Sequence, residues 1–580
     1  MIKKLFFYFT LLSIFYTASA QTTFPVNSQA SFNSALSSAS SGDTIEWEDG
    51  TYSNILMEIN TSGITVKAET AGDVTFNGTS RTEINGDNVT FTGFQFIGGN
   101  ILGGTQTVDQ TVITIDGSNT LVSDINIYQY TCWKYLRIRD SSQNTEISYC
   151  NFEERPNYAD QNILQVDVNS SQSGFHHIHH CSFKNFTGIS TGGDDGVEPI
   201  RIGASSQATY SSKSVVEHCY FTSCEGDGEI ISHKATDCVY RYNTFEGNTI
   251  SELVLRHGDN GIVYGNFFIN GGRGVRVREG SGHLIFNNYF GNLTSRSIYL
   301  VSSNSDPVDN ITIAYNTIVD CQRFRLSDTP LDTGEVYPTN ITILNNIFAD
   351  PKSSSGLFRD ATGNETWVGN IVDNSSNMGI TLPASGITYT NPNLSLNSES
   401  LYEIGASSPA IDAATNDALF PFSTITGLTY DNTIAEDVIK SARPATETMK
   451  DIGCEEYNAS TTLAPHVTAD NTGPSYLMPT LSTNDIDLVV NNFNIYPNPN
   501  TNNNLNFSFN VKQHTTLKID IYDVFGKKIT TLVDADFQVG NHTFKSEANL
   551  NASGIYLLHV QLKNDKHVVI AETIKKLVKQ

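Results

Sequence analysis

After its first twenty residues this 580-residue chain has no long apolar run, so no later segment could cross a membrane as a helix. Charge is scarce at 17% of residues, and positive charge scarcer still. Thirty-five Lys and Arg stand against 61 Asp and Glu, a formal net charge of −26. A surface this acidic argues against nucleic acid as the main partner, because phosphate neutralisation needs clustered Lys and Arg. It would also repel a polyanion at long range, so a polyanion site has to be a local basic patch or carry a bound cation. No C-x-x-C occurs among the eight cysteines, which argues against a zinc site. The L-x-x-L-x-L signature of a leucine-rich repeat is absent. Proline is modest, 17 residues against 43 glycines, a balance that favours many short strands joined by turns.

The one apolar run that is present, Leu5 to Tyr16, follows Lys3 and Lys4 and precedes Ala18-Ser19-Ala20. That order predicts a signal peptide over residues 1–20 and an exported, soluble mature chain starting at Gln21. Export permits disulfides. Cys150, Cys181 and Cys219, however, fall at one position of a repeat, which predicts a buried ladder of thiols rather than bridges.

The repeat is an Asn or Cys, any residue, then an apolar one, after a strand-like run. It reads Cys150-Asn151-Phe152, Cys181-Ser182-Phe183, Cys219-Tyr220-Phe221, Asn243-Thr244-Phe245, Asn266-Phe267-Phe268, Asn288-Tyr289-Phe290, Asn316-Thr317-Ile318, Asn346-Ile347-Phe348 and Asn370-Ile371-Val372. The spacing is 22 to 38 residues, tightening to 22 to 24 between 219 and 288. A period of this length marks a solenoid. The alternating β-branched and aromatic residues mark its units as strands. One coil cannot bury its own apolar face, but stacked coils share a continuous core. The expected fold is all-β: a parallel β-helix over residues 21–456, its first coil capped by a helix near Ser31 to Ser38. Stacked amides are expected at the Asn positions.

Indexing polar residues on their own coils brings a group together. Asp195 lies 14 residues after Cys181, Lys234 15 after Cys219, Arg256 13 after Asn243 and Arg276 10 after Asn266. Similar offsets in successive coils mean one lateral face, with about 4.8 Å between coils. Asp195, Asp227, Glu229, Lys234, Arg256 and Arg276 should therefore converge. Three carboxylates, Asp195, Asp227 and Glu229, offer oxygen ligands to a hard cation such as Ca²⁺. A cation beside Lys234 would favour its neutral amine, which can take a proton. Arg256 would serve as proton donor or stabiliser of a leaving oxygen. The reaction that fits is removal of the C5 proton of a uronic acid beside its carboxylate, followed by loss of the C4 oxygen. Spacing alone also allows a solvated acidic turn face with a surface ion-pair ladder.

Residues 190 to 290 resemble polysaccharide lyase family 6, which contains alginate lyases and chondroitinase B. The matching stretches are Asp195-Gly196-Val197-Glu198-Pro199-Ile200-Arg201-Ile202-Gly203, Asp227-Gly228-Glu229-Ile230-Ile231-Ser232-His233-Lys234 and Leu255-Arg256-His257-Gly258. The likeness extends through most of residues 22 to 455. It implies a right-handed β-helix, Lys234 as base, Arg256 as acid, and calcium ligands at Asp195, Asp227 and Glu229. His257, Arg276 and Arg201 would contact the substrate or brace the calcium side. The chain departs from the family in having Asp195 where Asn is usual and Asp227 where Glu is usual. The Lys234–Arg256 spacing is one residue longer. The activity implied is alginate lyase, on an acidic polysaccharide, by a monomer. The alternatives are a dermatan sulfate lyase and, from a different class, a non-catalytic glycan-binding β-helix.

Residues 457–490, rich in Thr, Asn, Ser and Pro, read as a linker. Beyond it stand Ile495-Tyr496-Pro497-Asn498-Pro499, then alternating strands, Gly554-Ile555-Tyr556, and Lys575, Lys576 and Lys579. Residues 491–580 thereby resemble the C-terminal sorting domain of the type IX secretion system of Bacteroidetes. This implies a small β-sandwich that addresses the chain to that machinery and is removed on export, leaving the enzyme released or held at the cell surface.

Overall fold

The computed structural model describes residues 21–579 apart from 103–109, 157–161, 188–196, 329, 350–355, 423, 479–489, 502–503, 513, 524–526, 549, 551–552 and 564–568. The expected signal peptide and Asp195 lie outside the described residues. The chain divides after Met478 into two compact units.

The first unit is the expected parallel β-helix. Three long sheets of 14, 12 and 14 strands run its length, and every neighbouring pair within them is parallel. One coil comprises the strands Val239–Arg241, Thr244–Glu246 and Glu252–Leu255; the next comprises Ile262–Tyr264, Phe267–Ile269 and Arg273–Val277. The register is direct, with Val239 opposite Ile262, Thr244 opposite Phe267 and Leu253 opposite Val275. The N-terminal coil is closed by the helix Gln29–Ser38. Ser28 caps this helix, and Phe32 and Ala35 are buried beneath it.

The repeat residues form the interior. Phe183, Phe221, Phe245, Phe268 and Phe290 stack face to face, with centroids 4.6–4.9 Å apart. Beside them runs the amide ladder. The side-chain Nδ2 of Asn243, Asn266, Asn288, Asn316 and Asn346 each donates to Oδ1 of the next asparagine, at 2.9–3.1 Å. Cys150, Cys181 and Cys219 continue this column as buried free thiols, as the repeat predicted. Removing one rung leaves buried donors unpaired. Asn266→Ala should cost about 3 kcal/mol, since its amide also binds Tyr240 O and Tyr264 O. Chemical denaturation of wild type and variant measures this, and a loss under 1 kcal/mol would show the ladder to be decorative.

Residues 457–478 differ from their compositional reading as linker. They run back along the coils. Val467 O accepts from Thr244 Oγ1 at 2.7 Å, Gly473 N donates to His180 O at 2.8 Å, and Tyr476 Oη donates to Phe94 O at 3.1 Å. The segment is polar because its docking rests on hydrogen bonds and a few buried side chains, Leu463 and Val467 among them.

His466 in this strap packs against His218 and Tyr242. Burial, with Lys440 nearby, pushes the His218 imidazole down to about 3 and that of His466 down to about 4. Both are neutral in the fold and would bind protons when exposed. Their contribution is complete above the unfolded value of 6.5 and is lost as pH falls toward 4. Melting temperature should therefore fall through this window, and His466→Gln should flatten the decline.

The second unit has antiparallel sheets of three and four strands around its own apolar core, in which Phe507, Ile519, Leu558 and Val560 are fully buried.

Candidate active site

All the described candidate residues lie on or beside the 12-stranded sheet. Arg201 is on the strand Ile200–Gly203, Glu229 and Lys234 bound the strand Glu229–Lys234, Arg256 follows Glu252–Leu255, and Arg276 is on Arg273–Val277. These four strands are consecutive in the sheet. His233 pairs with Leu255, so Lys234 and Arg256 leave neighbouring coils at matching positions.

Local sequence makes this approach possible. Gly203 stands opposite Lys234 at φ +79°, and a Cβ there would lie 2.7 Å from the Lys234 carbonyl oxygen. Gly258 closes the turn after Arg256, and a Cβ there would lie 2.4 Å from the Ala235 backbone. The glycines of the I-R-I-G and L-R-H-G motifs thus let successive coils touch beside the reactive side chains.

Two buried acids organise the cations. Glu229 is 4% exposed. Its Oε1 accepts from Arg256 Nη1 at 2.9 Å and Arg276 Nη2 at 3.5 Å, and its Oε2 from Ser232 Oγ at 2.5 Å. Burial alone would raise this carboxyl. The Ser232 bond and the charges of Lys234, Arg256 and Arg276 outweigh burial and hold it below its ordinary value. Glu198, also buried, lies 3.5 Å from Lys234 Nζ and pairs with Arg201 Nε. Burial would likewise lower the Arg201 guanidinium, but the charges of Glu198, Glu229 and Asp227 push it up. Asp227 sits in the turn before Glu229 and is buried.

Sequence reasoning missed three carboxylates here. Glu198 is one. Glu252, fully buried, binds Arg276 Nε at 3.1 Å and Arg296 Nη2 at 2.5 Å. Glu279 lies 2.6 Å from His257 Nδ1 and 4.0 Å from Arg256 Nε. The available signal was a lone acid inside or just ahead of an apolar strand, as in S-E-L-V-L and V-E-P-I. A carboxylate in such a place has to be paired.

Asp227 and Glu229 fit a hard cation by donor chemistry, being buried carboxylates two residues apart where a turn enters a strand. Glu229 would share its charge between that cation and Arg256.

Residues 26–397 match the family model described as Chondroitinase B, and residues 494–579 match the secretion system C-terminal sorting domain. No curated protein matches the chain significantly. Among solved structures, the PL6-family alginate lyase AlyGC is 21% identical with a TM-score of 0.59, the alignment covering 66% of this chain and 55% of that one. The chain thus spans about half the length of that relative. A mannuronic-acid-specific family 6 lyase from human gut microbiota is 21% identical with a TM-score of 0.55, covering 64% of this chain and 91% of the other. A family 6 lyase from Pseudopedobacter saltans is 20% identical with a TM-score of 0.51, covering 63% and 97%. At these identities the likeness speaks for the fold, and the family rests on the model match over most of the helix. The chain belongs to polysaccharide lyase family 6, the chondroitinase B family, and carries a C-terminal secretion sorting domain.

Proposed function

We propose that the β-helix is an alginate lyase that cleaves its polymer by β-elimination. The observation that carries this reading is the pairing of Lys234 and Arg256 at matching positions of neighbouring coils, each held by a buried carboxylate. A glycan-binding surface has no need of a proton-transfer pair. Lys234 Nζ takes the C5 proton. The electrons move to form the C4–C5 double bond, and the C4–O bond breaks. Arg256 stabilises the departing oxygen through its guanidinium and supplies a proton to it. Arg276, His257 and Arg201 bind substrate carboxylates or orient the groove. Asp227 and Glu229, with Asp195 as third donor, would hold Ca²⁺, which supplies charge neutralisation at the substrate carboxylate when bound.

The enzyme would reach the cell surface or medium through the type IX machinery that the sorting domain addresses. Alginate is preferred to dermatan sulfate because sulfate recognition calls for basic residues beyond those that meet the uronate carboxylates, and this acidic chain shows no such surplus.

Absorbance of the unsaturated uronate product on polymannuronate, polyguluronate and dermatan sulfate, run in parallel, tests the proposal. Product is expected on one or both alginate polymers, with at least a tenfold loss after exhaustive chelation and recovery on adding Ca²⁺. Product from dermatan sulfate alone would reassign the substrate. Full activity in metal-free protein would remove calcium from the mechanism.

A further inference from the structure

The turn after Arg256 gathers a second group of ligand-type atoms. His257 adopts the left-handed conformation, φ 68°. Its Nδ1 lies 2.6 Å from Glu279 Oε2 and 3.8 Å from Asp306 Oδ2. The three ligand atoms all fall within 4.8 Å of one another.

The arrangement is not explained as a hydrogen-bonded cluster. Glu279 is 8% exposed, yet its Oε2 makes no hydrogen bond among the described residues, although an imidazole nitrogen is close. The contact is an ion pair in kind, and the same oxygen also lies 4.0 Å from Arg256 Nε. The other oxygen, Oε1, accepts from Ser303 Oγ at 3.4 Å, which fixes the carboxylate plane. A buried carboxylate oxygen that takes no hydrogen bond gains from a further cationic partner. Asp306 faces the same point with a second negative charge. Its Oδ2 brings a second carboxylate to within 3.8 Å of the same imidazole nitrogen.

We propose that His257, Glu279 and Asp306 form a binding site for a zinc-class divalent cation, separate from the Asp227–Glu229 carboxylates. One imidazole nitrogen with two carboxylate oxygens suits Zn²⁺, whereas Ca²⁺ prefers oxygen donors alone. Three protein ligands leave a fourth position open to water. Occupancy would tie up His257 and draw Glu279 away from Arg256. The cation would then inhibit turnover, a consequence that rests on the lyase reading above, whereas binding itself does not.

The test is calorimetric titration of ZnCl₂ into calcium-saturated full-length protein, beside the same titration of D306N and E279Q. One saturable site is expected in wild type, weakened tenfold or more in both variants. D306N should keep its zinc-free turnover and lose zinc inhibition. The proposal is overturned by absence of saturable zinc binding. It is equally overturned if both variants bind as wild type does and His179→Ala removes the site, which would place zinc at the imidazoles of His177 and His179 on another sheet. Zinc that binds through Asp306 but leaves wild-type turnover unchanged would overturn the inhibition alone.

Discussion

Lys234→Ala should fold and bind oligosaccharide, and should lose about 10²- to 10⁴-fold in turnover, the usual cost of removing a general base. Folding should survive although Lys234 is only 8% exposed. The acid it faces, Glu198, keeps Arg201 as partner, so no buried charge is stranded. Arg256→Ala should fall as far. Arg256→Lys should recover only part of the loss, because an ammonium cannot reproduce the planar fork that engages Glu229 and the leaving oxygen together. Product absorbance with saturating polymer is the measurement, and wild-type turnover in Lys234→Ala would make a binding role the better reading.

Glu229→Gln should damage both stability and activity. The substitution keeps the shape and deletes the charge that two arginines share. Breaking a buried pair from one side costs about 3–5 kcal/mol, because the remaining charge is left uncompensated. Here Arg276 retains Glu252, so the lower end of that range is expected. Activity should drop at least a hundredfold, and excess Ca²⁺ should not restore it, since Arg256 loses its anchor as well. The wild-type carboxyl is held below its ordinary 4.5, so its stabilisation is present above that pH and is lost as pH falls through the folded value. In the variant this acid-side loss should shrink. Thermal melts at pH 7 and pH 4 would check it, and an unchanged melting temperature at pH 7 would show that the arginines do not depend on Glu229.

Much of this was legible in the residues. The Asn and Cys column announced the coils because only an in-register stack makes use of identical side chains one turn apart. Lys234, Arg256 and Arg276 could be placed on one face by counting, since offsets of 10 to 15 residues from the ladder all fall in, or just past, strands of the same sheet. What escaped counting was pairing across coils. Nothing in the spacing says that Glu198 reaches Lys234, or that Glu252 serves arginines one and two coils away. Those contacts depend on side-chain length and on which acid is buried. The strap escaped for the opposite reason. Its composition matches a solvated linker, and only the positions of its partners, such as Phe94 and His180, show that it is docked.

The strap also sets an order of events. Tyr476 bonds to a coil residue 382 positions earlier in the chain. The first coils leave the ribosome long before the residues that clasp them exist, and such distant contacts are slow to form. A stack without the clasp would open coil by coil from its ends. With it, the final locking of the N-terminal coils waits for nearly the whole helix domain to be made.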